Sequence, residues 1–284
     1  MKSNETPLPK VDLFYGTDPL CSFCWVFEPT IRKFRYQYAK YIADDTTIMG
    51  GMIEKWDTYG GEEVDKTSQA LGIATQWHEI GDYTRMVIDG RIWLDEPVRS
   101  SYPSSQIYGI MHRDYPEKAN LFLRKVRETV MLWNQDVSKR EVLEAILNEI
   151  GLDAKKIWED AHSFEGRMLM NGDLSLAQTL TISSFPTIIM VNEKNQGIKV
   201  VGAQTYDALV EALQQILPEG TTLVPNPVPS LDVVMKEQPL MLSKEMEVLY
   251  DLSESEVNKF VDLTLGKENY QKGELFGQPY YQKV

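Results

Sequence analysis

The sequence predicts an α/β fold that is divided by a large α-helical insertion and followed by a small C-terminal appendage. Three observations lead to this prediction. A strand, a short turn and a helix follow one another in residues 11–42, and a strand, a hairpin partner and a helix occupy residues 183–217. Residues 55–182, between these two groups, have mostly helical apolar spacing. Strands that alternate with helices are typical of a sheet covered by helices.

Residues 1–54 are predicted to form the first part of this fold. Residues 11–17 are rich in strand formers and precede a long apolar helical pattern from Cys21 to about Ile42. Pro29 interrupts that pattern, and we expect it to kink the helix. A second strand is expected at 46–53, where two adjacent glycines allow close approach of another backbone or a substrate.

The insertion at 55–182 is predicted to contain several helices. Ser138 and Glu141 have the spacing of a capping box before one of them, and Gly151 is expected to end it. Two further helices are expected near 155–162 and 166–180. Apolar residues at three- and four-residue spacing support these assignments.

The second part of the fold, residues 183–217, begins with a buried strand at Pro186. Its hairpin partner is expected at 197–202, and a helix at about 206–217. Proline within a sheet normally marks a strand start or an edge. A cis peptide bond before Pro186 would turn the backbone of Phe185 outward to pair with an extended substrate, whereas an ordinary trans proline would only open the strand.

A proline-rich linker at 218–230 precedes the appendage, residues 231–284. A helix is expected at 243–250, and a second helix carries a capping box at Ser253 and Glu256. Glycine-punctuated aromatic residues then suggest a hairpin, which would complete a winged-helix-like module. The six Lys and ten acidic residues of the appendage favour a protein contact over DNA.

Charge and hydropathy exclude several classes of function. The chain has 29 Lys and Arg against 42 Asp and Glu, so its net charge is −13, which weighs against nucleic acid as a partner. No apolar run has the roughly 18 residues that a membrane helix needs. The first ten residues lack the apolar core of an export signal, and we therefore expect a cytoplasmic protein without a membrane partner.

The chain contains only two cysteines, Cys21 and Cys24. They follow a strand and a turn at the first turn of a helix, where free backbone N–H groups and the helix dipole favour a thiolate. Cys21 would then be the nucleophile, and Cys24, one turn later, would resolve the mixed disulfide. A disulfide-stapled scaffold is excluded because no other cysteines exist.

Two other interpretations of the pair stay open. A zinc half-site would need two more ligands, and His78, His112 and His162 are scattered without metal-binding spacing. Alternatively, both cysteines are inert core residues. We expect no metal and no organic cofactor.

Two carboxylates near the motif are candidates for tuning the thiols. Asp18 could relay a proton to Cys24, or it could simply cap the turn, as Asp-Pro commonly does. Glu28 could be a buried proton acceptor or a solvated helix residue.

Residues 18–25 (DPLCSFCW), the GGM at 50–52 and Phe185-Pro186-Thr187 together resemble the DsbA-like branch of the thioredoxin superfamily, especially the FrnE-type dithiol-disulfide isomerases. The resemblance covers about residues 10–217. It implies a thioredoxin fold with a four- or five-stranded sheet and a cis Pro186 that faces Cys21. Strongly oxidising relatives carry a histidine where this chain has Ser22-Phe23, so we expect a less oxidising pair.

The appendage resembles the C-terminal part of the YjbH (SpxH) adaptor family of Firmicutes, through the stretch MLSKEMEVLYDLSESEVNKFV at 241–261. That resemblance implies a partnership with the regulator Spx and the ClpXP protease. The sequence as a whole predicts a thiol–disulfide oxidoreductase or isomerase that acts on protein or small disulfides. The alternative is an adaptor in which the cysteine pair is dispensable or senses redox state.

Overall fold

A four-stranded sheet in the order β2-β1-β3-β4 organises the first and second parts of the fold. In the computed structural model, which describes residues 8–61 and 63–284, β1 pairs in parallel with β2 and antiparallel with β3, and β3 pairs antiparallel with β4. The strands are β1 (Val11–Thr17), β2 (Ile42–Met49), β3 (Thr187–Asn192) and β4 (Gly197–Val201). The expected four- or five-stranded sheet is confirmed. The residues on which the export-signal argument rests lie partly outside the described ranges.

Nine helices accompany this sheet within the described residues up to 217. They are α1 (Ser22–Tyr38), α2 (Lys66–Thr84), α3 (Ile92–Asp95), α4 (Tyr102–Asp114), α5 (Pro116–Met131), α6 (Arg140–Glu149), α7 (Ala154–Ala161), α8 (Phe164–Thr179) and α9 (Tyr206–Ile216). Helices α2–α8 form the insertion, and their apolar faces share one core with the end of β2 and the start of α1. The predicted α/β fold with a helical insertion is confirmed.

Three local predictions need correction. Strand β2 covers 42–49 rather than 46–53, because its first half pairs with β1 through the backbone while its polar side chains face solvent. Helix α1 ends at Tyr38 rather than at about Ile42; as expected, it does not end at Pro29, and the kink there stays a prediction. Ser138 does not cap α6, which begins after Lys139; the hydroxyl of Ser138 instead donates to Asp136 Oδ1 at 2.6 Å.

The appendage is a winged-helix-like module, as predicted. It consists of α10 (Leu231–Glu237), β5 (Leu240–Leu242), α11 (Ser243–Tyr250), α12 (Glu254–Leu265), β6 (Tyr270–Leu275) and β7 (Gln278–Lys283). Its strands are ordered β5-β7-β6. One half of the predicted capping box is present, because Ser253 N–H donates to Glu256 Oε2 at 2.8 Å. The hydroxyl of Ser253 also donates to this oxygen, and the N–H of Glu256 donates to the carbonyl oxygen of Ser253 instead. The first helix and the short strand β5 were not predicted.

The appendage packs on the thioredoxin-like part through α11, which lies against α1. The segment 218–230 contains no helix or strand and runs along the core, where Asn226 N–H donates to Gln37 O at 2.7 Å and Val224 N–H to Tyr41 Oη at 3.0 Å. No helix within residues 8–61 and 63–284 has the length and apolar character to cross a membrane.

Candidate functional site at the cysteine pair

The cysteine pair lies where β1 turns into α1. Asp18 forms the turn: its Oδ1 accepts from Leu20 N–H at 2.9 Å, and its carbonyl oxygen accepts from Cys21 N–H at 3.2 Å. Cys21 is the N-cap residue of α1, and its Sγ accepts the N–H of Cys24 at 3.1 Å. The sulfur of Cys21 therefore takes the place of the side-chain oxygen that usually caps a helix.

The two sulfur atoms are joined as a disulfide, with Cα atoms 5.2 Å apart. Cys24 is fully buried, and Cys21 is only 4% exposed at the floor of a cleft. Ser22 is also buried, whereas Phe23 is 42% exposed. Of the four residues in the motif, Phe23 thus presents most of the surface that another molecule can contact.

Asp18 connects three segments around the motif. Besides the turn contact to Leu20, its Oδ2 accepts from Met52 N–H at 2.7 Å and from Ser101 Oγ at 3.0 Å. Burial raises the pKa of this carboxyl, and the N–H groups of Met52 and Leu20 act against that rise. The contacts of Asp18 are those of a residue that caps the turn. Proton transfer from its carboxyl group to Cys24 stays a prediction, and the raised pKa is compatible with it.

Glu28 lies in a cluster of arginines rather than in solvent. Its Oε1 accepts from Arg32 at 2.6 Å and from Arg124 at 3.3 Å, and its Oε2 accepts from Arg127 at 3.3 Å. Burial acts to raise the pKa of Glu28, but the guanidinium groups of Arg124, Arg32 and Arg127 outweigh it and lower the pKa to about 2. The solvated-helix interpretation is wrong, and so low a pKa makes Glu28 a poor proton acceptor at neutral pH.

The loop before β3 forms the opposite wall of the cleft. The Phe185-Pro186 peptide bond is cis, which confirms that expectation. The ring of Phe185 lies on Gly50, where a Cβ would be 1.9 Å from Phe185 Cζ. Within the described part of the chain, neither the N–H nor the C=O of Phe185 forms a hydrogen bond, whereas the C=O of Pro186 accepts from Gly202. The backbone N–H and C=O of Phe185 therefore have no partner in this part of the chain, and their pairing with an extended substrate stays a prediction.

The cleft between the motif and this loop has a volume of about 250 Å³. Cys21, Ser22 and Phe23 line it on one side, with Ser184 and Phe185 on the other. Apolar side chains close it, namely those of Tyr59, Ile73, Trp77 and Trp93 from the insertion and that of Ile53 just before it. The cleft thus offers Cys21 and a free backbone amide to a ligand with an apolar side chain.

Sequence reasoning missed several residues that shape the site. Ser101 and Arg127 contact Asp18 from 83 and 109 residues away. Asp173 of α8 accepts Met49 N–H at 2.9 Å next to the glycine pair, and burial raises its pKa to about 6. Nothing in the spacing of these residues could have connected them to the motif, since each contact joins distant elements.

In the chain segments that the structure describes, no group of three or more His, Cys, Asp or Glu side chains could hold a metal ion. The chemistry available to the cleft is that of the sulfur pair, together with backbone pairing at Phe185 and apolar contact. Thiol–disulfide exchange and non-covalent binding of an extended peptide are both compatible with this geometry.

The thioredoxin family matches residues 14–211. ClpXP adapter protein SpxH of Halalkalibacterium halodurans is 30% identical over 251 residues, 88% of this chain and 81% of that protein. The Bacillus cereus (strain ATCC 14579) protein of the same name is 24% identical over 276 residues, 96% of this chain and 91% of that protein.

Among solved structures, the cytosolic disulfide reductase DsbM from Pseudomonas aeruginosa is similar with a TM-score of 0.56 and 17% identity. The similarity covers 97% of DsbM but 70% of this chain, and it concerns the fold alone. The similarity to the adapter proteins thus extends over more of the chain than the similarity to the reductase.

Proposed function

This chain belongs to the thioredoxin family and, within it, to the ClpXP adapter proteins named SpxH, and from that premise we propose that it delivers a client protein to the ClpXP protease. The client is the regulator Spx, as the resemblance of residues 241–261 implies. The observation that carries the proposal is the extent of the similarity, which reaches 96% of the chain and so includes the appendage.

The attachment of the appendage supports this function. Arg124 in the insertion and Glu245 in α11 form a buried ion pair, and Arg32 of α1 also contacts Glu245, at 3.3 Å. At the edge of the same interface, Arg85 pairs with Glu247 at 2.6 Å. An adaptor must bind its client and the protease at the same time. A firmly attached appendage adds binding surface, and no conformational entropy is lost in ordering a flexible joint when a partner binds.

The cleft beside the cysteines supports client binding. An extended client segment could pair with the free N–H and C=O of Phe185, as peptides do when they add to a sheet edge. Its side chains would contact Phe23 and the aromatic wall of the cleft. This mode of binding needs no covalent bond to Cys21.

The test is the degradation of purified Spx by ClpXP with and without this protein. We expect a several-fold faster loss of Spx in its presence, and an unchanged rate would refute the proposal. Phe23→Ser should slow degradation because it removes the exposed apolar contact at the cleft. Phe164→Ser changes a phenylalanine that is 74% exposed outside the cleft, and should leave the rate unchanged.

Thiol–disulfide exchange is a second candidate, favoured by the position of Cys21 as the N-cap of α1. With the pair reduced, the Cys21 thiolate would attack a client disulfide, releasing one client thiolate and forming a mixed disulfide. Attack by Cys24 on Cys21 would release the second client thiolate and leave the Cys21–Cys24 disulfide. Two electrons pass to the client, and an external dithiol must reduce the pair again.

This second function is tested by the reduction of a disulfide-bonded model peptide in the presence of dithiothreitol. Cys21→Ser should bring the rate down to that of dithiothreitol alone. Reduced Cys24→Ser, mixed with the peptide after dithiothreitol has been removed, should trap the mixed disulfide. An unchanged rate for Cys21→Ser would exclude the reductase function. Both functions place the protein in the cytoplasm, where ClpXP acts and thiols are kept reduced.

A further inference from the structure

A second cavity, of about 500 Å³, shares no lining residue with the cysteine cleft. Three parts of the molecule form its walls. Arg32 and Arg35 come from α1, and Arg124 and Arg127 come from α5 of the insertion. Val234, Lys236 and Gln238 at the end of α10 complete it from the appendage. Its volume is in the range of small-molecule sites.

The lining of this cavity is rich in guanidinium groups, although the whole chain carries a net charge of −13. Four arginines line it, and Glu28 is the one lining carboxylate that is not exposed. Glu117, Lys236 and Glu237 are exposed at its mouth. Arg124 is ion-paired with Glu245 and Glu128, which do not line the cavity. The arginines that have an N–H donor without a hydrogen-bond partner are Arg32, Arg35 and Arg127.

Four side-chain atoms in the cavity lining are buried without a hydrogen-bond partner in the described chain. They are Tyr15 Oη, Arg32 Nη1, Arg35 Nε and Arg127 Nε. Tyr15 is 2% exposed and Arg127 is also 2% exposed, so neither group reaches bulk solvent. A buried donor without an acceptor costs about 1–3 kcal/mol. Four such groups in one cavity indicate that the cavity holds a hydrogen-bond acceptor.

The other atoms of these residues are committed to the protein, which fixes the free donors in place. Arg127 donates to Thr17 Oγ1 at 2.5 Å and to Glu28, which leaves its Nε free. Arg35 donates to Asp45 at 2.6 Å and lies over the ring of Tyr15, 5.2 Å from its centroid. The free groups are therefore preorganised rather than mobile.

We infer that this cavity binds a small-molecule oxyanion, a phosphate or a carboxylate. Arginine N–H groups and a tyrosine hydroxyl are donors, and the planar guanidinium matches both kinds of oxyanion. Because α10 forms one wall, the bound anion also joins the appendage to α1 and α5. Ligand binding therefore stabilises the docked appendage by RT ln(1 + L/Kd), where L is the ligand concentration and Kd its dissociation constant.

The test is isothermal titration of the full chain with inorganic phosphate and, separately, with malonate, at ionic strength matched with sodium chloride. We expect saturable one-site binding of at least one probe, and the two arms distinguish a phosphate site from a carboxylate site. Saturable binding of neither probe would overturn the inference.

Two conservative variants locate the binding. Tyr15→Phe keeps the ring and removes only the free hydroxyl, and Arg35→Lys keeps the positive charge but removes the guanidinium with its free Nε. Each should weaken binding at least fivefold. The unliganded melting temperature of Tyr15→Phe should not fall, because the hydroxyl has no protein partner. The exposed controls Tyr83→Phe and Arg99→Lys should bind within twofold of wild type. Equal affinities for all five proteins would place the binding elsewhere and overturn the assignment.

Discussion

Arg124 in the helical insertion and Glu245 in the appendage form a two-pronged ion pair, with N···O distances of 2.9 and 2.8 Å. Both side chains are almost completely buried. The guanidinium of Arg124 also lies 4.3 Å from the ring centroid of Trp25, the residue that follows Cys24. One buried cation therefore connects the appendage, the insertion and the helix that carries the cysteine pair.

Breaking this pair should weaken the attachment of the appendage. Glu245→Gln leaves Arg124 buried with one less carboxylate, and removal of one partner of a buried pair costs about 3–5 kcal/mol. We expect the free energy of unfolding in urea to fall by an amount in this range, and proteases to cleave more rapidly within 218–230.

A matched control separates this effect from a general loss of charge. Glu144→Gln removes one partner of the exposed Arg140–Glu144 pair. It should change the free energy of unfolding by less than about 0.5 kcal/mol. Equal effects of the two substitutions would show that the Arg124–Glu245 pair does not hold the appendage.

Gly50→Ala should disturb the cleft. The new methyl group would overlap the ring of Phe185, which must then move away from the end of β2. Overpacking of this kind costs about 1–3 kcal/mol, measured as a fall in the free energy of unfolding. Gly172→Ala in α8 is the control, because its added Cβ has no heavy atom within 4 Å apart from its chain neighbours and its own helix backbone. That variant should be as stable as wild type or more stable, and a loss as large as that of Gly50→Ala would refute the steric explanation.

Asp173 should make stability depend on pH. Burial raises its pKa to about 6 from 3.8, so the folded protein holds this proton more tightly than the unfolded chain. Its contribution to stability is complete below pH 4 and is lost as the pH rises through 6. Asp173→Asn keeps an oxygen for Met49 N–H and removes the ionisation. It should raise the free energy of unfolding at pH 7.5 by about 2 kcal/mol.

The measurement is urea unfolding of wild type and Asp173→Asn at pH 5 and pH 7.5. The variant should gain more at pH 7.5 than at pH 5. An equal difference at the two pH values would show that ionisation of Asp173 is not the cause. Asp57→Asn, at a carboxylate that is 84% exposed, should change stability by less than about 0.5 kcal/mol at both.

The features that were predictable from sequence are those that local chemistry determines. The strand, turn and helix around Cys21, the capping box at Ser253 and the hairpin after it are all encoded in a few adjacent residues. Pro186 was identified because its place before an apolar strand is unusual, and the resemblance to known proteins indicated the cis bond.

The features that were not predictable depend on contacts between distant residues. Glu28 has the sequence context of a solvated helix residue. It belongs to a buried cluster because it contacts Arg124, which is 96 residues away in the sequence. Arg124 and Glu245 are 121 residues apart. The first half of β2 has exposed polar side chains, so its sequence does not indicate a strand. It is a strand because its backbone pairs with β1.

We propose that the chain presents Spx to ClpXP by non-covalent binding, with the sulfur pair dispensable. The most direct test is the initial rate of Spx degradation by ClpXP with the Cys21→Ala/Cys24→Ala protein in place of wild type, with the urea midpoints of both proteins measured alongside. We expect a rate within twofold of wild type. A folded double variant that supports no more degradation than ClpXP alone would contradict it.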